Sequence, residues 1–259
     1  MDLRLKGKTA VVTGASRGLG RAIAGGLAVE GCRLVICARG ADGLQEAADE
    51  LRAGGAEVEA RPLDVTEDGA VEELVAAAEA RFGVPEVVVG NVGGNRRGAL
   101  TELEDEAWRQ VFELNFQSQV RLARSAARRM LAHEIPGSIV FVASIFGREA
   151  GGAGLGIYNA SKSALISMAK ILALELAPAG IRVNTVAPGS IRFPGGSWDR
   201  RCLEDPEGME RFIAANLPLG RFGRADEIAD AVTFLASERA SLVTGTCWNV
   251  DGGQSRSLI

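Results

Sequence analysis

Residues 9–38 limit this chain most: an apolar run, a glycine-rich turn, an amphipathic run and a second apolar run. Thr9-Ala10-Val11-Val12-Thr13 shows no polar alternation and reads as a strand buried on both faces. Gly14-Ala15-Ser16-Arg17-Gly18-Leu19-Gly20 follows, and residues 21–28 carry a helical pattern. Strand, glycine turn and helix together make the context in which a glycine pattern signals a dinucleotide. Glycines let the backbone approach a pyrophosphate without a Cβ clash. The helix start behind them offers unpaired N–H groups and a positive dipole end.

The rest of the chain repeats the strand–helix theme. Strands are expected at 32–38, 57–63, 86–89, 138–143, 181–186 and 246–250, and helices at 43–53, 67–82, 104–133, 158–178, 206–215 and 225–237. Such alternation implies parallel βαβ units. Residues 190–216 break it, with 195–199 read as irregular. No repeat or linker divides the 259 residues, so the expectation is one α/β domain over 1–259. Ligands of open parallel sheets bind beyond the carboxyl ends of the strands. The glycine loop, Arg39, Asp64, Asn91, Ser144 and Pro188 all lie just after predicted strands.

Tyr158, the only tyrosine, stands four residues before Lys162 at the start of a predicted helix. Residues four apart share a helix face. A free phenol has a pKa of about 10 and exchanges protons poorly near neutrality. A fixed positive charge beside it favours the phenolate, which suits a general acid or base.

The G-x-x-x-G-x-G loop together with Tyr158-x-x-x-Lys162 resembles the compact branch of the short-chain dehydrogenase/reductase family, along nearly the whole chain. Asn91-Val92-Gly93-Gly94 looks like a variant of that family's N-N-A-G motif. Asn115, Ser144, Pro188-Gly189 and Asp251-Gly252-Gly253 fall where the family carries its asparagine, its serine, its P-G and its D-G-G. The resemblance implies a single-domain, Rossmann-type, doubly wound parallel sheet with helices on both faces. It implies a catalytic set of Asn115, Ser144, Tyr158 and Lys162. It implies cofactor contacts from Gly14, Ser16, Arg17, Gly18, Leu19, Gly20, Arg39, Asp64, Val65, Asn91, Gly93, Pro188, Gly189 and Ile191, besides Tyr158 and Lys162.

Strand two ends in Ile36-Cys37-Ala38-Arg39, with no acid to accept from the ribose hydroxyls of NAD. Arg39 and Arg17 suit a 2′-phosphate, so the cofactor implied is NADP, with NAD as the alternative. The activity implied is hydride transfer between a nicotinamide and a ketone or secondary alcohol, of the 3-oxoacyl or small carbonyl reductase kind. Tyr158 would exchange the proton, Lys162 would lower the Tyr158 pKa and bind ribose hydroxyls, and Ser144 would hold the carbonyl oxygen. Asn115 would shape the site and support a water relay near Lys162.

A second reading is a sugar, polyol or sugar-acid dehydrogenase working oxidatively. A third is a nucleotide-sensing binding protein, which needs no proton donor and so fits the intact Ser144, Tyr158 and Lys162 poorly. Two departures separate the chain from the usual 3-oxoacyl reductase pattern: Val92 and Gly93 in the N-N-A-G motif, and Phe193 in place of a cofactor-binding threonine. The substrate wall is expected from Arg96-Arg97, from residues 145–149 and from the segment 190–216, with Trp198 as a candidate lid residue.

Composition narrows the alternatives. A net charge of −4 with scattered charges argues against nucleic acid, leaving a small-molecule substrate. No apolar run reaches the roughly 18 residues of a membrane span, and no hydrophobic leader precedes the first strand. The four cysteines form no CxxC pair and suit a reducing compartment, hence the cytoplasm. The single histidine, His133, excludes a histidine-built metal site. The resemblance implies a homotetramer, assembled through the helices at 104–133 and 158–178 and the C-terminal segment.

Overall fold

The computed structural model describes residues 1–258. Seven parallel strands form one sheet: β1 (Thr9–Thr13), β2 (Arg33–Ala38), β3 (Val58–Pro62), β4 (Val87–Gly90), β5 (Gly137–Val142), β6 (Ile181–Pro188) and β7 (Cys247–Val250). Their order is β3-β2-β1-β4-β5-β6-β7, so the winding reverses between β1 and β4. That is where a parallel sheet opens a crevice at its carboxyl edge.

The β-branched runs pack on both faces. Ala10 and Val12 of β1 point into one core with Ile23 and Leu27 of α1 (Gly18–Val29), Leu44 of α2 (Ala41–Ala53) and Val232 of α9 (Ala225–Ala236). Val11, between them, joins the opposite core with Leu74 of α3 (Ala70–Phe82), Leu122 of α5 (Ser118–Ala132) and Leu165 of α6 (Gly156–Leu176). Most of these side chains are fully buried, and truncating a buried leucine to alanine costs about 2–5 kcal/mol.

Two expectations are corrected. The continuous helix expected over 104–133 is two helices, α4 (Asp105–Phe112) and α5, joined by a π-helical turn at Glu113–Gln117. Asn115 sits in that turn, fully buried and hydrogen-bonded away from its own helix. The segment 195–199, expected to be irregular, contains the start of α7 (Ser197–Glu204), which leads into α8 (Pro206–Asn216). Asp199 accepts from the Gly195 amide at 3.0 Å and, as an acid in the first turn, complements the helix dipole. Elsewhere the expected elements differ only at their ends; α3, for example, starts at Ala70 because Gly69 takes φ +78°.

Candidate active site

The glycine loop leaves the end of β1 and turns into α1. Gly18 has φ +56°, a left-handed conformation that suits glycine, and a Cβ there would lie 2.7 Å from the Phe193 ring. A Cβ on Gly20 would overlap the Gly14 carbonyl and the Asn91 side-chain amide. The loop is therefore a bare main-chain surface at a helix start, which fits a dinucleotide pyrophosphate. Asn91 holds it from the end of β4: its amide group donates to Thr13 O at 3.0 Å and Gly14 O at 3.3 Å, and its backbone N–H donates to Thr13 Oγ1.

A cleft of about 620 Å³ opens over this edge of the sheet. Arg17, Leu19, Asn91, Gly93, Ser144, Tyr158, Lys162, Pro188, Gly189 and Ile191 all line it. Gly14, Ser16, Gly18 and Gly20 form the loop beneath rather than the cleft wall. Arg39, Asp64 and Val65 lie outside it, at the ends of β2 and β3. Arg39 is 74% exposed and pairs with Asp64 at 3.7 Å, while Asp64 also accepts from Thr66. The two residues expected to meet the 2′-phosphate and the adenine thus stand together at one end.

Ser144 and Tyr158 share a hydrogen bond, and Ser144 Oγ accepts from Phe146 N at 3.1 Å. Tyr158 keeps part of its surface in the cleft, yet burial pushes its phenol above the ordinary range while the Ser144 bond pulls it down. Lys162 is almost fully buried, and burial pushes its ammonium down to about 8. Its Nζ donates to Val142 O at 2.9 Å and lies 5.9 Å from the Tyr158 ring centre. The raised phenol runs against the expected lowering by Lys162: desolvation is the largest influence on it, and the Ser144 bond is the one that lowers it.

Asn115 does not line the cleft. It clamps the main chain of Gly94, accepting from its N–H at 2.7 Å and donating to its C=O at 2.9 Å, and also donates to Ser161 Oγ at 3.0 Å. Gly93 is packed between its Oδ1 and the Lys162 ammonium, since a Cβ on Gly93 would lie 3.5 and 3.1 Å from them. Asn115 thus positions the loop after β4 over Lys162.

Three features escape a reading of the sequence. The Phe193 ring rests on Gly18. Gln254 lines the cleft and accepts from Ser190 N at 2.7 Å; its place just after Asp251-Gly252-Gly253 was the available signal. Glu149 holds the C-terminal segment through Ser255 and the amides of Arg256 and Ser257. No cluster that could hold a metal ion occurs among the described residues.

Residues 14–255 match the family model described as Enoyl-(Acyl carrier protein) reductase. The chain is 39% identical over 251 residues to the 3-oxoacyl-(acyl-carrier-protein) reductase FabG of Escherichia coli K12, covering 97% of this chain and 98% of that protein. It is 34% identical over 252 residues to the rhamnolipids biosynthesis 3-oxoacyl reductase of Pseudomonas aeruginosa, covering 96% of each. Among solved structures it is similar to L-sorbose reductase of Gluconobacter frateurii, complexed with NADPH and L-sorbose, with a TM-score of 0.93 and 35% identity over the whole of both chains. It is also similar to a variant of actinorhodin polyketide ketoreductase with NADPH, with a TM-score of 0.90 and 37% identity over 96% of this chain and 98% of that one.

Proposed function

The chain belongs to the short-chain dehydrogenase/reductase family and is an oxidoreductase; from that premise we propose that it reduces a ketone to a secondary alcohol with NADPH. The observation that carries this is the joint presence of Ser144, Tyr158 and Lys162 in the one cleft that the glycine loop also borders. The nicotinamide, when bound, supplies the hydride to the carbonyl carbon. Ser144 Oγ accepts from Phe146 N and bonds the Tyr158 phenol, and its hydroxyl would turn to the carbonyl oxygen of a bound substrate. Tyr158 gives its phenolic proton to that oxygen as negative charge develops there. A phenol pushed up by burial is protonated at neutral pH, the form that reduction needs. Lys162, titrating at about 8, then faces the phenolate left behind and stabilises it.

The NADP preference is supported by Arg39, with no acid at the end of β2, and by the two NADPH-bound relatives. The likeness to 3-oxoacyl reductases and to L-sorbose reductase supports a substrate class spanning 3-oxoacyl groups and polyhydroxylated ketones; oxidation of a sugar or polyol would use the same residues in reverse. We further propose a homotetramer in the cytoplasm. Ile171 and Leu174 on α6 are 54% and 63% exposed, a face that a second copy would cover, and the free thiols suit a reducing compartment.

The test is turnover of a panel of ketones and polyols with both cofactors, followed by absorbance, for wild type and Tyr158→Phe. We expect NADPH-dependent ketone reduction that falls by about a thousandfold or more in Tyr158→Phe, with NADPH affinity kept. Near-normal turnover in the variant would remove Tyr158 from the chemistry.

A further inference from the structure

The cleft carries a charge pattern that the reaction itself does not use. Its cationic lining residues are Arg17, Arg97, Lys162, Arg200 and Arg201, with no aspartate or glutamate in the lining. Arg17 borders the glycine loop and Lys162 serves the reacting end. That leaves three arginines. Arg97 comes from the loop after β4, and Arg200 and Arg201 come from α7 after β6, so two separate segments of chain contribute them.

Among the described residues these three guanidiniums have no carboxylate partner, although most arginines nearby do. Arg192, Arg221 and Arg224 each pair with an acid, at 2.9, 2.6 and 3.1 Å. Helix α7 also sorts its charges. Asp199 turns to Arg192 and the Gly195 amide and borders a different cavity, leaving Arg200 and Arg201 on the cleft side.

Both arginines are held in place. Arg200 Nη1 donates to Gly195 O at 2.7 Å. The Arg201 guanidinium lies 4.9 Å from the Trp198 ring centre, and that ring packs at 4.7 Å from Phe212 and 5.2 Å from Phe222. Positive charges concentrated in a concave, carboxylate-free cleft raise the local concentration of anions and suit bidentate recognition of carboxylate or phosphate.

We propose that the substrate carries an anionic group, a carboxylate or a phosphate, away from the reacting carbonyl, and that Arg97, Arg200 and Arg201 bind it. This rests on the reading of the cleft as a ketone reductase site. It narrows the substrates to oxo acids and to ketones bearing a phosphate, free or at the end of a carrier arm.

The experiment compares three ketones of matched length, one neutral, one with a terminal carboxylate and one with a terminal phosphate, on full-length protein with NADPH. Wild type should favour at least one anionic ketone over the neutral one in kcat/KM by about tenfold or more, and the advantage should shrink as NaCl rises to about 0.5 M. In Arg200→Gln/Arg201→Gln, and separately in Arg97→Gln, the loss on the anionic ketone should exceed the loss on the neutral one by about tenfold, mainly through KM. Preference for the carboxylate arm or the phosphate arm decides which anion is meant.

Equal losses on all three ketones, or losses that track weakened NADPH binding, would overturn the proposal by giving the arginines to the cofactor. Calorimetric titration of the NADPH complex with succinate and with inorganic phosphate gives a readout that needs no turnover. If no ketone is reduced but either anion binds wild type and not the double variant, the reductase reading fails and the anion site stands. If neither anion binds and no anionic ketone is preferred, the anion site fails alone.

Discussion

On the glycine-loop side of the cleft, the surface offered to a ligand is main chain; on the α7 side it is side chain. Gly20 has no room for a methyl group because the Gly14 carbonyl and the Asn91 amide already touch its position. Trp198, Arg200 and Arg201 are instead long side chains on a short helix whose residues are all at least partly exposed. A surface made of backbone is fixed by sterics, and almost any substitution damages it. A surface made of side chains can be rewritten residue by residue while the sheet stays as it is. The cofactor end of such a site is thus constrained by its fold, and the substrate end by its chemistry.

The largest expected effect tests the first half of that contrast. Gly20→Ala forces a Cβ against backbone, which cannot rotate away, and we expect a loss of about 3 kcal/mol or more and a melting point lower by about 10 °C. Calorimetry checks this, and an unchanged melting point would show that the loop yields as the other wall does.

Lys162→Met comes next, and its sign differs between activity and stability. Lys162 titrates at about 8 in the folded protein, against an ordinary 10.5. Between those values the unfolded chain holds a proton that the folded chain has lost, so stability rises with pH across that window. Below about pH 8 both states are protonated and the full cost of burying the ammonium stands, roughly 3 kcal/mol. Lys162→Met should therefore abolish turnover yet stabilise the protein by about 2 kcal/mol at pH 7, with the gain fading toward pH 10.5. Urea unfolding at several pH values reads it; a destabilised variant at pH 7 would mean that the bond to Val142 O outweighs the desolvation.

Arg39→Asp probes the exposed end of the cofactor side, where side chains do decide. We expect NADPH affinity to fall by about tenfold to a hundredfold and preference to move toward NADH, because attraction of a 2′-phosphate becomes repulsion. Tighter binding of NADH than NADPH by wild type in a fluorescence titration would dismiss the arginine argument. The smallest effect comes from Gly25→Ala in α1, where a Cβ meets nothing within 4 Å. A gain of about 0.5–1 kcal/mol is expected, since a helical glycine with free space has no role to lose.

The features legible in the sequence were those written by local rules. β-Branched runs marked the strands, the Gly14–Gly20 spacing marked the cradle, and the four-residue step from Tyr158 to Lys162 marked a shared helix face. The features that were missed depend on contacts between distant segments. Nothing in Leu114-Asn115-Phe116 signals a π turn, because the turn exists to let Asn115 clamp Gly94, 21 residues earlier. Gly195-Gly196 suggested an irregular segment, yet a helix starts at Ser197, with the Asp199 carboxylate accepting from the Gly195 amide ahead of it. The phenol pKa runs the other way from the expectation because burial, which no motif displays, is the largest influence on it.

The π turn at Glu113–Gln117 has a consequence for insertions and deletions. A helix advances by about 100° per residue, so one residue added to or removed from this turn rotates everything before it by more than a quarter circle. Trp108 and Phe112 stack at 6.1 Å, and Phe112 meets Phe116 across the turn at 6.3 Å, so the three rings keep one line along the molecule. Asn115, inside the same turn, is fully buried and clamps Gly94. A change in length would carry either the ring row off its face or the amide out of its clamp. The segment should therefore accept many substitutions on its exposed side and no indel, a bias that a length-variant library of residues 105–120 would expose.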